Sequence, residues 1–135
     1  MAIGFTGTQK GLTQKQRDSL FLLLNEHKRT DFRHGDCIGA DAEAHIFARN
    51  AGHKIIIHPP IDKSKQAFCR GDGYVAAKDY LDRNHDIVRA SQWIIACPKG
   101  FAEELRSGTW ATIRFAKKLG KRLTIIWPDG SKKEC

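Results

Sequence analysis

The stretch FRHGDCIGADAEAH brings glycines, acids and histidines together at one point of the sequence. Gly35 and Gly39 stand where an apolar run gives way to a run with helical spacing. Glycine permits positive φ and, because it has no Cβ, leaves space for a close approach to the main chain. The stretch therefore predicts a backbone cradle for a phosphate or a nucleotide.

Two further glycine-containing loops follow apolar runs. One reads GFTGTQKG, and the other reads CPKGFAEELRSGTW and closes at a predicted helix start. A helix N-terminus offers unpaired N–H groups and partial positive charge, which stabilise an anion by up to ~2 kcal/mol. Three such loops at one edge suit a multiply charged ligand. The candidate ligand-binding residues of the three loops are Gly4, Thr6, Gly7, Thr8, His34, Gly35, Asp36, Gly39, Ala40, Asp41, Ser107, Gly108 and Thr109.

Each loop also has a purely structural interpretation. The first loop is neither GxGxxG nor a Walker A sequence, and Ser107 could serve only as an N-cap. His34, Asp36 and Asp41 lack the HxxxH or carboxylate clustering of a metal site, so loop capping is the better interpretation of these three. We therefore predict neither a metal nor a separate cofactor.

Length and composition limit the chain to one domain. Its 135 residues, 41% of them hydrophobic, suffice for one ordinary core, so residues 1–135 are predicted to form a single domain. No apolar run approaches the ~20 residues that a bilayer span requires, and the N-terminus resembles no secretion signal. We therefore expect a cytoplasmic protein without a membrane partner.

The cysteines and the charge balance narrow the chemistry. Cys37, Cys69, Cys97 and Cys135 are far apart in sequence and form no CxxC, so reduced thiols are expected. Lys and Arg number 23 against 15 Asp and Glu, a formal net charge of +8. This excess attracts anionic partners such as nucleotides, nucleic acids or acidic proteins, but it does not choose among them.

Apolar strands alternate with helical runs along the chain. AIGFTG, TDFRHG, HKIIIHPP, QWIIACP and KRLTIIWP read as strands, and residues 59–78 read as a long surface loop or lid. Nearly continuous apolar strands are typical of a sheet covered on both faces. The pattern predicts an α/β fold: a single doubly wound parallel sheet of about five strands with helices on both faces, then a C-terminal tail at residues 128–135. Ligands of such sheets bind at the carboxyl ends of the strands, where the strand order reverses.

The predicted helices carry recognisable ends. Thr13, with Gln16 three residues later, predicts a capping box. Gly52 and Gly120 stand where a glycine ends a helix. The small residues of ADAEAHIFARNA share one helical face, so this helix is expected to pack closely on the sheet.

These motifs together resemble a known group of proteins. GFTGT, HGDCIGADAEAH, DRN and SGTWATIRFAKKLG are similar to the SLOG superfamily, a Rossmann-like group that includes DNA-processing protein A, the YAcAr domain and the LOG family. The resemblance spans roughly residues 2–128. Its most specific part is HGDCIGADAEAH, and the matching residues there are Gly35, Gly39, Asp41, Ala44 and His45.

The resemblance implies a nucleotide or nucleotide-derived ligand held by the three loops. Gly7 and Thr8 would approach a base or ribose, backbone amides at Gly35 and Gly39 would face phosphate, and the SGT loop would cap a phosphate. The DRN motif contains Arg83 and Asn84, which match an Arg-Asn pair of the family. Their side chains could reach the sugar or phosphate of the ligand, or they could form a solvated pair on an exposed helix face.

Catalysis is supported less well than binding. LOG phosphoribohydrolases carry a PGGxGTxxE motif whose glutamate is catalytic, and Thr112 stands at that position here. Cleavage of an N-glycosidic bond builds positive charge on the ribose, which a carboxylate stabilises. A nucleotide N-glycosidase of this sequence would therefore need another acid, and Glu103, Glu104 and Asp36 are the candidates.

Other roles remain open as alternatives. A single-stranded DNA-binding module agrees with the resemblance to DNA-processing protein A and with the net charge, and Phe68 and Tyr74 are its candidate stacking residues. Isolated SLOG domains resemble ligand-reading modules of bacterial and phage conflict systems, which implies a sensor or sequestering role. Family members often dimerise, so a homo-oligomer through the apolar side of FAKKLG is also implied.

Overall fold

Seven strands form one sheet, with two helices against each face. The computed structural model describes all 135 residues. The strands are β1 (Ala2–Gly7), β2 (Asp31–His34), β3 (Lys54–Ile57), β4 (Gly73–Tyr74), β5 (Trp93–Cys97), β6 (Arg122–Ile126) and β7 (Lys132–Glu134). The helices are α1 (Gln14–Glu26), α2 (Ala40–Asn50), α3 (Tyr80–Ala90) and α4 (Gly108–Lys118). None of the four has the length and apolarity needed to cross a bilayer.

The strand order makes β1 the centre of a doubly wound sheet. The order is β4-β3-β2-β1-β5-β6-β7, and every pair is parallel except β6 with β7. Ile3 of β1 is in register with Phe32 of β2 on one side and with Trp93 of β5 on the other. The chain therefore leaves β1 in one direction and returns on its other side, which confirms the predicted fold class.

Two of the seven strands, β4 and β7, were not predicted from the sequence, which indicated about five strands. β4 lies inside the predicted loop at residues 59–78 and has only two residues, too few for a periodic signal. β7 lies inside the predicted tail at residues 128–135, and all of its residues are exposed. β7 forms because the turn at Gly130, with φ of 83°, folds the charged end back onto β6.

The core has one cluster on each face of the sheet. On the α1 and α2 side, leucines of α1 and alanines of α2 pack on Phe5 and Phe32. On the α3 and α4 side, Trp110 and Ile113 pack on Ile94. The alanine face allows α2 to lie close to the sheet, and a Cβ on Gly7 would meet the Cβ of Ala40 at 2.5 Å.

The helix ends follow the sequence signals. Thr13 and Gln16 form the reciprocal capping box of α1. Gly52 and Gly120 follow α2 and α4 with φ of 81° and 66°. α2 differs, because its N-cap is Gly39, which offers no side-chain cap.

The segment from 59 to 78 is tied to the loop between β2 and α2. The amide of Ala67 donates to the carbonyl of Asp36 at 2.7 Å, and the amide of Ile38 donates to the carbonyl of Lys65 at 3.0 Å. The carboxylate of Asp36 accepts from the amide of Cys69 at 2.9 Å and from the side chain of Gln66 at 3.0 Å. These bonds hold the segment as a strap across the β2–α2 loop.

Gly39 lies where two loops touch. Its φ is 86°, and a Cβ there would overlap the carbonyl oxygen of Gln9. The amide of the next residue, Ala40, donates to the carbonyl of Thr8 at 3.0 Å. The glycine therefore permits the β1–α1 loop and the start of α2 to pack directly against each other.

We expect Gly39→Ala to destabilise the fold more than Gly120→Ala. Both glycines have positive φ, which costs an L-residue about 1–2 kcal/mol, but Gly120 faces open space. The clash with Gln9 should add about 1–3 kcal/mol, the usual cost of overpacking. Urea unfolding of both variants measures the difference, and equal losses would show that the contact with Gln9 is unimportant.

Candidate functional site

A cavity of about 520 Å³ opens at the carboxyl ends of β1, β2 and β5. This is the point where the strand order reverses, the usual ligand position in open α/β sheets. The volume falls within the range of about 300–1,000 Å³ typical of small-molecule sites. The β1–α1, β2–α2 and β5–α4 loops and one side of α3 form its walls.

Most of the residues predicted from the loops and from DRN line this cavity. They come from segments far apart in sequence and meet because all their loops leave the same edge of the sheet. The predicted residues at the cavity wall are Thr6, Gly7, Thr8, Gly35, Asp41, Arg83, Asn84, Ser107, Gly108 and Thr109.

Three small residues of the prediction lie outside the cavity wall. Gly4 faces α3, where a Cβ would meet the side chains of Ser91 and Ile87 within 3 Å. Gly39 faces the backbone of Gln9, and Ala40 is fully buried in the core. All three permit close packing around the site, which glycine and alanine spacing alone does not distinguish from ligand contact.

His34 and Asp36 also lie outside the wall, in a buried hydrogen-bond network. The amide of Asp36 donates to Nδ1 of His34 at 2.9 Å, so Nε2 of His34 carries the proton and donates to Nδ1 of His45 at 2.9 Å. Burial lowers the pKa of His34 to about 3, with the neighbouring positive charges acting in the same direction. His34 is therefore neutral and positions the β2–α2 loop.

Arg83 supplies a buried positive charge at the cavity wall. Its side chain is only 4% exposed, and Nη1 donates to the carbonyl of Gly35 at 2.5 Å and to that of His58 at 3.2 Å. None of the chain's ion pairs includes Arg83. Because a guanidinium stays protonated and a buried charge is costly without a counter-charge, this wall favours an anion.

Asn84 is oriented by Arg83. Nε of Arg83 donates to Oδ1 of Asn84 at 2.8 Å. Since a guanidinium can only donate, the amide oxygen must face it, and the NH₂ group of Asn84 is left for the cavity. Asn84 can therefore donate a hydrogen bond to an acceptor on a ligand.

Asp41 places a carboxyl in the first turn of α2, at the cavity wall. It is 6% exposed and accepts from the amide of Cys37 at 3.1 Å. Burial raises its pKa to about 6, and the charge of Arg83 opposes this rise. The carboxyl is thus able to accept from a ligand hydroxyl when ionised, and it titrates close to neutral pH.

The N-terminus of α4 completes the wall with backbone donors. The side chain of Ser107 caps the amide of Trp110 at 3.2 Å, whereas the amides of Gly108 and Thr109 belong to the first turn and have no acceptor inside the helix. No acidic residue occupies this turn. A Cβ on Gly108 would meet nothing within 4 Å, so space is open beside these amides.

Of the three candidate acids, only Glu104 lines the cavity. Its carboxylate pairs with the ammonium of Lys99 at 3.3 Å. Glu103 does not line the cavity, and its carboxylate instead pairs with the guanidinium of Arg114 at 2.8 Å. The carboxylate of Asp36 does not line the cavity, and it is hydrogen-bonded to Gln66 and Cys69 of the strap.

Five charged or aromatic residues of the wall were not predicted from the sequence: Phe5, Lys10, Tyr80, Lys99 and Arg106. The three basic residues lie within the loops that were already identified by their glycines and hydroxyls. Their position in those loops could therefore have indicated that they line the cavity. Tyr80 begins α3 after the long strap, and nothing in the local sequence marks it as a cavity residue.

The open doubly wound sheet, with a cavity at its switch point, defines a Rossmann-like α/β protein. The structure resembles that of the molybdenum cofactor binding protein from the phototrophic bacterium Rippkaea orientalis, with a TM-score of 0.71 and 21% identity over 93% of this chain and 76% of that one. It also resembles the structure of TM1055, a structural genomics target, with a TM-score of 0.67 and 18% identity over 90% and 71% of the two chains. At these identities the likeness shows the fold. No protein-family model and no curated protein matches the sequence.

We expect Asp41→Asn to change how stability depends on pH. The folded-state pKa of about 6 exceeds the ordinary value of 3.8, so the wild-type carboxyl favours folding most at low pH and loses this contribution as the pH rises through 6. The variant should therefore gain about 1–3 kcal/mol relative to wild type between pH 4 and pH 7.5. Urea unfolding across this range tests it, and parallel pH profiles would contradict it.

Proposed function

We propose that this protein binds a phosphorylated, nucleoside-type ligand in the cavity, as a sensor or sequestering module. The observation that carries the proposal is the buried Arg83 guanidinium without a carboxylate partner, in a wall that also contains the first-turn amides of α4. An anion bound there would pair directly with the guanidinium, which the carboxyl of Asp41 affects only from beyond ion-pair distance, and would supply the missing acceptors for the amides. The resemblance of the loops to the SLOG superfamily supports the same assignment.

The remaining wall residues suit the other parts of such a ligand. Lys10 and Arg106 add positive charge at the wall, where the charge of Lys99 is compensated by Glu104. Asp41 and Asn84 offer an acceptor and a donor for ribose hydroxyls or base edges. One protein of the same fold is a molybdenum cofactor binding protein, which agrees with a small-molecule site in this fold.

A thermal-shift panel tests the proposal directly. Nucleoside mono- and diphosphates, cyclic nucleotides and ADP-ribose are each added to the full chain. A ligand at 100 times its dissociation constant stabilises the folded state by ~2.7 kcal/mol, which raises the Tm by several degrees. The absence of a shift across the whole panel would refute nucleotide binding.

We expect Gly108→Ala to weaken binding of the tightest panel nucleotide tenfold or more without disturbing the fold. Its methyl group would fill the open space beside the first-turn amides. Gly100→Ala is the matched control, because Gly100 also faces open space but does not line the cavity. Both variants should unfold within ~0.5 kcal/mol of wild type. Isothermal titration gives the affinities, and unchanged binding to Gly108→Ala would remove the α4 terminus from the site.

Salt dependence separates this proposal from single-stranded DNA binding. Displacement of several counterions lowers DNA affinity ~10³-fold or more over a modest increase in salt. A small nucleotide in the cavity should lose much less. An oligonucleotide that binds more tightly than every nucleotide, with a steep salt slope, would favour the DNA-binding alternative, with Phe68 and Tyr74 as its exposed rings.

A nucleotide N-glycosidase is the second candidate, favoured by the position of Glu104 in the cavity wall. Its carboxylate, paired with Lys99, could stabilise the positive charge that develops on a ribose during bond cleavage.

We expect no release of free base from nucleoside monophosphates, because the ammonium of Lys99 already compensates Glu104. Chromatography of long incubations checks this. Should base appear, its loss in Glu104→Gln but not in Glu103→Gln would establish the hydrolase, since Glu103 lies outside the wall.

A further inference from the structure

One stripe of α3 faces the cavity with an ordered change of chemistry. Tyr80, Arg83, Asn84 and Ile87 are spaced at i, i+3, i+4 and i+7, so they share one helical face, and all four line the cavity. Ile87 is 3% exposed at the inner end, whereas Tyr80 is half-buried at the helix start. The stripe therefore runs from an apolar floor, past a cation and an amide, to an aromatic ring near the mouth.

Tyr80 is the available aromatic ring of the cavity. The other aromatic residue at the wall, Phe5, is 1% exposed and belongs to the core. The Tyr80 ring has two contacts within the protein: its hydroxyl makes a long hydrogen bond of 3.4 Å to the carbonyl of Asp62, and the guanidinium of Arg83 lies 5.3 Å from the ring centroid. These contacts restrict the ring in part, which reduces the conformational entropy lost when a ligand binds against it.

We propose that Tyr80 is the platform against which the base of the ligand stacks, so that the site selects nucleoside phosphates over sugar phosphates. This inference rests on the proposed function, with the phosphate near the start of α4. Stacking accepts every base, because each has a π-face. Asn84, one turn further along the same stripe, then donates to the sugar or to the base edge.

The test compares ligands with and without a base. The affinities of adenosine, guanosine, cytidine and uridine 5′-monophosphates and of ribose 5-phosphate are measured by isothermal titration on the full chain. Wild type should bind the nucleotides about tenfold or more tightly than ribose 5-phosphate, the usual contribution of one stacked base. Tyr80→Leu should abolish this preference while it leaves ribose 5-phosphate affinity within about twofold. Tyr80→Phe should retain the preference, because it keeps the ring and loses only the bond to Asp62.

The outcomes separate the two proposals. If Tyr80→Leu weakens both ligand types equally, Tyr80 acts by supporting Arg83, and the stacking inference is wrong. If wild type binds ribose 5-phosphate as tightly as the nucleotides, the phosphate site stands and the stacking inference falls. If no phosphorylated compound binds, the proposed function itself fails. Tyr80→Trp guards against an unfolded leucine variant, since a larger ring should preserve or increase the preference for nucleotides, and a loss of that preference would also overturn the inference.

Discussion

The guanidinium of Arg83 joins the parts of the molecule from which the cavity is built. From α3 it donates to the carbonyl of Gly35 at the end of β2 and to that of His58 at the end of β3, and it orients Asn84. These bonds attach α3 to the ends of β2 and β3. Both strands lie on the opposite side of β1 from β5, so the bonds cross the point where the strand order reverses. One residue thus holds the wall together and charges it, because its donors are used by carbonyls while its positive charge has no ion-pair partner.

Contacts between loops position the other parts of the cavity wall. Gly39 allows the start of α2 to touch the backbone at Gln9, and Asp36 fastens the strap to the β2–α2 loop. His34, held neutral by burial, supports this loop by accepting a hydrogen bond from the amide of Asp36. These residues do not face the cavity, yet they decide where the amides and side chains that do face it are placed. The stretch FRHGDCIGADAEAH therefore combines residues of the cavity wall with residues that only support the wall.

The cavity combines features that a phosphorylated ligand would use at different points. Unpaired helix amides and basic side chains lie together, and a buried carboxyl, an oriented amide and a half-buried aromatic ring complete the wall. Such a distribution suits a ligand with a charged end and an uncharged aromatic end. The shared fold with solved structures at about 20% identity adds the architecture, and the chemistry is argued from the side chains of this chain.

Local sequence was sufficient to predict several features that depend on residues close together in the chain. The alternating strands and helices, the Thr13 capping box, the glycine ends at Gly52 and Gly120 and the Ser107 cap all depend on interactions within a few residues, and the structure bears them out. Because parallel strands present their carboxyl ends at one edge, the sequence also indicated that the three glycine loops would meet.

Only the tertiary structure decided which residues of those loops face inward. A positive φ at Gly39 is compatible with a ligand or with a neighbouring loop, and Gln9, 30 positions away, settles it. The carbonyl partners of Arg83 and the exposed side of Tyr80 likewise depend on segments remote in sequence. Side-chain direction and charge pairing are set by packing between elements, and a one-dimensional pattern of residue types does not contain those distances.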